Sequence, residues 1–231
     1  MPAHPRPTTP AELARWIDHT ILSPDATTAE IRRTCAEAVR IAAAAACVPP
    51  RFVPIAAAAL AGTGVAVCTV VGFPHGTGTP AAKAAEAREA ARAGAVELDM
   101  VLARGPLHEG DDDAVRADVA AVVEAAPQAR IKVILETAAL SPAEIDRACR
   151  LCAEAGAHFV KTSTGFGPGG ATVEAVRRMR AAVPPSMGVK ASGGIRDAAT
   201  ALAMIEAGAT RIGTSRGPAL VEDARSLLEA P

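Results

Sequence analysis

A chain of 231 residues, half of them hydrophobic, is long enough to bury one large core, and a net charge of −1 with scattered arginines leaves no basic face for nucleic acid. Aromatic residues make up only 2% and tyrosine is absent, which argues against a base-stacking surface. No apolar run approaches the roughly 20 residues of a bilayer span, and the first residues lack a signal-peptide core, so no membrane partner and a cytoplasmic location are expected.

In chain order, a proline-rich leader over 1–10 is expected to be loosely held. A short extra helix at 11–16 then precedes a first strand at 17–22. Thr27 with Glu30 three positions on forms a capping-box signature for a helix running to about Arg40. Strands follow at 43–48, 64–71, 95–101, 130–137, 158–165, 189–192 and 211–215. Helices are expected at 50–61, 79–93, 111–126, after Ser141-Pro142, and at 172–182, 196–207 and 217–229. The Ala-Gly-Ala triplets at 93–95, 155–157 and 207–209 each place a helix-stopping glycine before a strand. Eight such units average about 29 residues, close to one βαβ repeat. The pattern predicts a single-domain (β/α)8 TIM barrel over 1–231, with an open doubly wound sheet as the alternative; no G-x-G-x-x-G follows the first strand.

Lysine usage singles out the chemistry. Of 24 basic residues only four are lysines, Lys83, Lys132, Lys161 and Lys190, and all but Lys83 fall in strand-like runs. Arginine stays charged, whereas a desolvated lysine can become a nucleophilic amine. Lys161 sits inside the apolar run 158–161, where an unpaired ammonium would cost several kcal/mol or more. Ion pairs with Glu97, Asp99 or Glu136 are the structural alternative, but two lysines and Asp99 on neighbouring strands favour a site. At the strand ends, Gly165, Gly167, Gly169 and Gly170, then Ser192-Gly193-Gly194, then Gly213-Thr214-Ser215 are suited to meet an anion with backbone N–H groups. A sugar phosphate is therefore the expected small-molecule partner.

Five cysteines form no disulfide framework, which suits a reducing compartment, and Cys149-x-x-Cys152 lies inside a helical pattern, where a redox or zinc role is disfavoured. His75, His108 and His158 have no nucleophile–base spacing around them and read as loop or packing residues. Asp18, Thr20 and Cys47, at the ends of the first two strands, are candidates to border the pocket, while Lys132 is expected to form a charge network with Glu97 and Glu136 low in the barrel.

Glu-Leu-Asp-Met-Val (97–101), Val-Lys-Thr-Ser-Thr-Gly-Phe (160–166), Val-Lys-Ala-Ser-Gly-Gly-Ile-Arg (189–196) and Ala-Gly-Ala-Thr-Arg-Ile-Gly-Thr-Ser (207–215) closely resemble the signatures of the deoxyribose-phosphate aldolase family. Ile-Asp-His-Thr (17–20) and Thr-Val-Val-Gly-Phe-Pro-His-Gly (69–76) fit the same family, in its order. The resemblance implies a class I aldolase that reversibly cleaves 2-deoxy-D-ribose 5-phosphate to D-glyceraldehyde 3-phosphate and acetaldehyde, with no cofactor and no metal. It implies Lys161 as the Schiff-base lysine and Asp99 with Lys190 as the proton-transfer pair, Lys190 also disfavouring a second ammonium beside it. Thr162, Gly165, Ser192, Gly193, Gly194, Gly213, Thr214 and Ser215 become its substrate- and phosphate-binding candidates. A homodimer or higher homo-oligomer is a further expectation.

The chain departs from the family at Pro49, where an asparagine is usual, at Ala103-Arg104-Gly105, where Asn-Ile-Gly is usual, and at its end, Glu229-Ala230-Pro231, where some members have a tyrosine. These positions bear on substrate preference. Two other readings stay open at this point: a Schiff-base aldolase of the same fold with a different aldehyde, and a barrel that only binds sugar phosphates.

Overall fold

The computed structural model describes residues 6–228. Eight parallel strands close into a barrel in sequence order, β1 (Ile17–Thr20), β2 (Ala45–Cys47), β3 (Ala66–Val71), β4 (Glu97–Val101), β5 (Arg130–Ile134), β6 (Phe159–Lys161), β7 (Gly188–Ser192) and β8 (Arg211–Thr214). The ring is shut by β1 against β8, with Asp18 opposite Gly213. Around it lie α1 (Pro10–Ala14), α2 (Thr28–Arg40), α3 (Val53–Leu60), α4 (Pro80–Arg92), α5 (Arg104–Glu109), α6 (Asp112–Ala125), α7 (Pro142–Glu154), α8 (Val173–Ala182), α9 (Ala198–Glu206), α10 (Gly217–Asp223) and α11 (Arg225–Leu228). The (β/α)8 architecture with a short N-terminal helix is that expected from the strand count.

Local chemistry sets the element ends. Thr27 and Ser141 cap α2 and α7 in complete capping boxes with Glu30 and Glu144. After α4, α7 and α9, Gly94, Gly156 and Gly208 adopt φ of 111°, 83° and 111°, where a side chain is disfavoured and the helix stops. Several strands are shorter than their apolar runs. The 130–137 run ends as a strand at Ile134 because Glu136 turns to a φ of 58° and leads into a 3-10 turn, Thr137–Ala139. The helix expected at 217–229 breaks at Ala224, and residue 229 lies outside the described residues. Helix α5 is one turn too many for the sequence reading, because its six residues carry no periodicity.

Alternation along the strands separates two cores. Outward-facing residues such as Leu98, Met100, Ile131, Val133, Val160, Val189 and Ile212 are buried against the helices. Facing inward, Ala45, Cys47, Cys68 and Val70 make a small apolar wall on β2 and β3, with Phe73 packed on it. The other strands aim mainly charged side chains inward. Of the leader, Arg6 pairs with Glu206 and the Thr8 backbone and hydroxyl donate to Glu12, while residues 1–5 lie outside the described residues.

Candidate active site

Period-two alternation aims Asp18, Glu97, Asp99, Lys132, Lys161, Lys190 and Arg211 into one barrel from six strands, and all are buried. Asp99 is the hub. Its Oδ2 accepts from Lys161 Nζ at 2.8 Å and from Lys190 Nζ at 2.6 Å, while its Oδ1 accepts from Lys132 Nζ at 2.7 Å and from the Cys68 thiol at 3.3 Å. Burial opposes its charge, but Lys132, Lys161 and Lys190 more than offset that and hold the carboxyl well below the usual carboxylate range.

A second carboxylate braces the first assembly. Asp18 pairs with Lys190 at 2.5 Å through Oδ2 and accepts from Arg211 at 2.7 Å through Oδ1. Burial again works against ionisation, and Arg211, Lys190 and Lys132 overcome it, keeping Asp18 charged. On Lys190 the balance runs the same way: burial disfavours the ammonium, yet Asp18 and Asp99 raise its pKa above the ordinary lysine value. Lys132 pairs with Glu97 at 2.7 Å, and Arg211 clamps Glu97 through both guanidinium nitrogens at 3.0 and 3.3 Å. Lys161 stands at the open end, in register with Lys190 and Ile134.

Two placements correct the sequence reading. Glu136 is not part of the Lys132 network; its turned backbone carries the carboxylate to the β6 loop, where it accepts from the Thr164 backbone and hydroxyl. A Cβ on Gly167 would come within 2.5 Å of that carboxyl, so the glycine there serves loop packing. Asp18 does more than border the pocket, being an anchor for Lys190 and Arg211. Arg211 itself escaped sequence reasoning because arginine reads as generic charge; its signal was its place two residues before Gly213, on the inward face.

The other candidates gather at the mouth or just below it. Thr162 Oγ1 accepts from the Ser192 backbone N–H and donates to the Ser192 carbonyl, clipping β6 to β7, and Ser192 Oγ donates to the Ser163 carbonyl. Gly165, Gly193 and Gly194 have φ of 87°, 86° and 79°, turning the loops after β6 and β7 in a way a side chain would resist. A Cβ at Gly213 would lie 2.9 Å from Ser192 Cβ and 3.1 Å from Lys190 Cε, so this glycine makes room for the lysine. The Thr214 hydroxyl donates to the Ile195 carbonyl, Ser215 is exposed, and the Thr20 hydroxyl donates to the Asp18 carbonyl. Phe73 and Phe166, from the loops after β3 and β6, meet edge to face across the mouth with centroids 5.4 Å apart.

Cys47, Cys68 and Asp99 come within ligand reach of one another. The grouping suits a cation poorly, because both Asp99 oxygens already serve three lysines whose charge would repel it. Among the remaining motif residues, burial pushes the Cys149 thiol up to about 12, and Cys152 rises with it, as expected of inert core cysteines. His108 binds Glu144 and His158 accepts from the Ile131 N–H, both structural contacts.

Known proteins resemble this chain over most of its length. A model of the DeoC/LacD family aldolases matches residues 13–220. The deoxyribose-phosphate aldolase of Geobacillus sp. (strain WCH70) is 53% identical over 91% of this chain and 95% of its own, and that of Enterococcus faecalis is 54% identical over 92% and 97%. The tetrameric deoxyribose phosphate aldolase of Aeropyrum pernix superposes with a TM-score of 0.89 at 36% identity, covering 96% of this chain and 94% of that one. The chain thus belongs to the DeoC/LacD aldolase family and is a lyase.

Proposed function

We propose that this chain, acting as one barrel domain, cleaves 2-deoxy-D-ribose 5-phosphate reversibly to D-glyceraldehyde 3-phosphate and acetaldehyde through a Schiff base on Lys161. The observation that carries the reading is the convergence of Lys161 and Lys190 on one oxygen of Asp99, at 2.8 and 2.6 Å, at the strand ends of a closed barrel. Charge balance supports it. Three buried carboxylates, Asp18, Glu97 and Asp99, face four buried bases, and Lys132, Lys190 and Arg211 each hold two or more of those carboxylates while Lys161 touches Asp99 alone. The interior is neutral when Lys161 is a free amine, the form that attacks a carbonyl.

Lys161 Nζ adds to the C1 aldehyde of the open-chain sugar, and the carbinolamine loses water as Lys190 supplies a proton. The resulting iminium draws the C2–C3 bonding electrons toward nitrogen while the C3 hydroxyl gives its proton, through a water, to Asp99. Glyceraldehyde 3-phosphate leaves, the enamine is protonated at C2, and hydrolysis of the iminium releases acetaldehyde. No metal enters this scheme. Gly193, Gly194, Thr214, Ser215 and Gly165 are the residues we assign to the phosphate, through backbone N–H groups. Five buried free thiols suit a cytoplasmic location, and self-association is carried over from the tetrameric Aeropyrum pernix relative.

Borohydride reduction in the presence of substrate is expected to attach the donor carbons to Lys161, and Lys161→Arg is expected to abolish both turnover and trapping. An adduct on another lysine overturns the assignment. Absence of any adduct in an active preparation overturns the Schiff base itself.

A further inference from the structure

A cavity of about 890 Å³ lies beneath the barrel at the end away from the Lys161 mouth. Its volume falls in the range of roughly 300–1,000 Å³ that small organic ligands occupy. Arg15 and Trp16, between α1 and β1, form one side; Arg130 at the start of β5 and His158 beside Phe159 of β6 form another. Arg211 is its ceiling, with the guanidinium 5.6 Å from the Phe159 ring centre and already committed to Asp18 and Glu97.

Arg15 and Arg130 are not committed. Both are exposed, and neither guanidinium takes part in a hydrogen bond or ion pair among the described residues. Their charges are nevertheless felt locally. Arg15 contributes to lowering Glu12, and Arg130, after burial, to lowering His158. Glu12 is the one acidic residue of the lining, and its carboxylate is occupied by the Thr8 N–H and hydroxyl at 2.7 and 2.9 Å. In a chain of net charge −1, this is a concave site where the Arg15 and Arg130 guanidinium groups outnumber the one carboxylate, Glu12, among the described lining residues. Guanidinium forks match phosphate and carboxylate oxygens in pairs.

We propose that this cavity binds a small organic anion bearing two or more phosphate or carboxylate groups, held by Arg15 and Arg130 and separate from the aldol centre. Its concavity favours a small molecule over a surface partner. Trp16 is the only tryptophan and lines the cavity, so it reports occupancy directly.

The test titrates the whole enzyme with inorganic pyrophosphate and, separately, with malonate, at ionic strength held constant with sodium chloride, following Trp16 fluorescence and heat. A saturable response to at least one probe is expected, and which probe binds separates phosphate from carboxylate chemistry. Arg15→Gln and Arg130→Gln are each expected to weaken binding about tenfold, with kcat in the absence of anion unchanged. The proposal is overturned if neither probe saturates, if sodium chloride alone reproduces the change, or if the affinity is the same in both variants.

Discussion

Lys83, outside the barrel, has a physical reason not to be arginine. Lys83, on α4 and fully buried, donates to Asp118 at 2.6 Å and to the Val101 carbonyl at 2.9 Å, packed so closely under Gly72 that a bulkier fork has no room. It holds the ends of β3 and β4 from outside the barrel and touches none of the reacting groups. Lys83→Met is therefore expected to cost about 3 kcal/mol in urea unfolding, since Asp118 is left buried without its cation, while kcat of the folded fraction stays at the wild-type value. Asp99→Asn is the opposite case. It is expected to lower kcat by roughly 10² to 10⁴, as for loss of a general acid–base group, in a steady-state assay of glyceraldehyde 3-phosphate release. The sequence made Lys161, Lys190 and Asp99 legible because charged residues in apolar strands are conspicuous. It left Arg211 and Lys83 unread, because a strand's first residue and a helix residue look solvent-exposed until their neighbours are known.

At the level of single elements, β8 shows why small residues matter beside the amines. Asp18, Gly213 and Ser192 lie side by side in register, and Gly213 alone leaves the corridor through which the Lys190 side chain reaches Asp99. Gly213→Ala must push either Lys190 or Ser192 aside, an overpacking that costs about 1–3 kcal/mol. The expected result is a fall in kcat of about tenfold or more with a modest drop in urea midpoint, because a displaced ammonium weakens chemistry more than it weakens the fold. The glycine run was legible as turns at the strand ends, but the reason for Gly213 was not: a steric role depends on a neighbouring strand 21 residues away at Ser192. Glu136 was misread for a similar reason. Its turned backbone depends on the Thr164 loop it binds, a contact no strand-like run announces.

Over the whole molecule, stability should follow the buried charges. Asp18 and Asp99 have pKa values depressed on folding, so their contribution is present above the unfolded value of about 3.9 and is lost as pH falls below it. Cys149 and Cys152 are raised, so theirs is present below about 8.5 and is lost as pH climbs above that value. Lys132 and Lys190, also raised, add a further loss only above about 10.4. Because burial lowers His158 on folding, a smaller loss begins as pH falls below about 6.5, so urea midpoints measured across pH should be highest between about 6.5 and 8 and fall on both sides; a steady slope through neutrality would contradict the ion-pair assignments. The eightfold repeat, and with it the architecture, could be read from helix caps, Ala-Gly-Ala stops and strand spacing, because each is a local signal. What could not be read was the division of the interior into an apolar wall on β2 and β3 and a charged remainder, since that depends on which residues the closed ring brings opposite one another.

Ring closure also has a consequence for synthesis. The carboxylate of Asp18 leaves the ribosome well ahead of Lys190 and Arg211, which neutralise it. A nascent chain stalled before β8 lacks Arg211, the partner that Asp18 and Glu97 share, so competence for carbon–carbon cleavage arrives only with that strand.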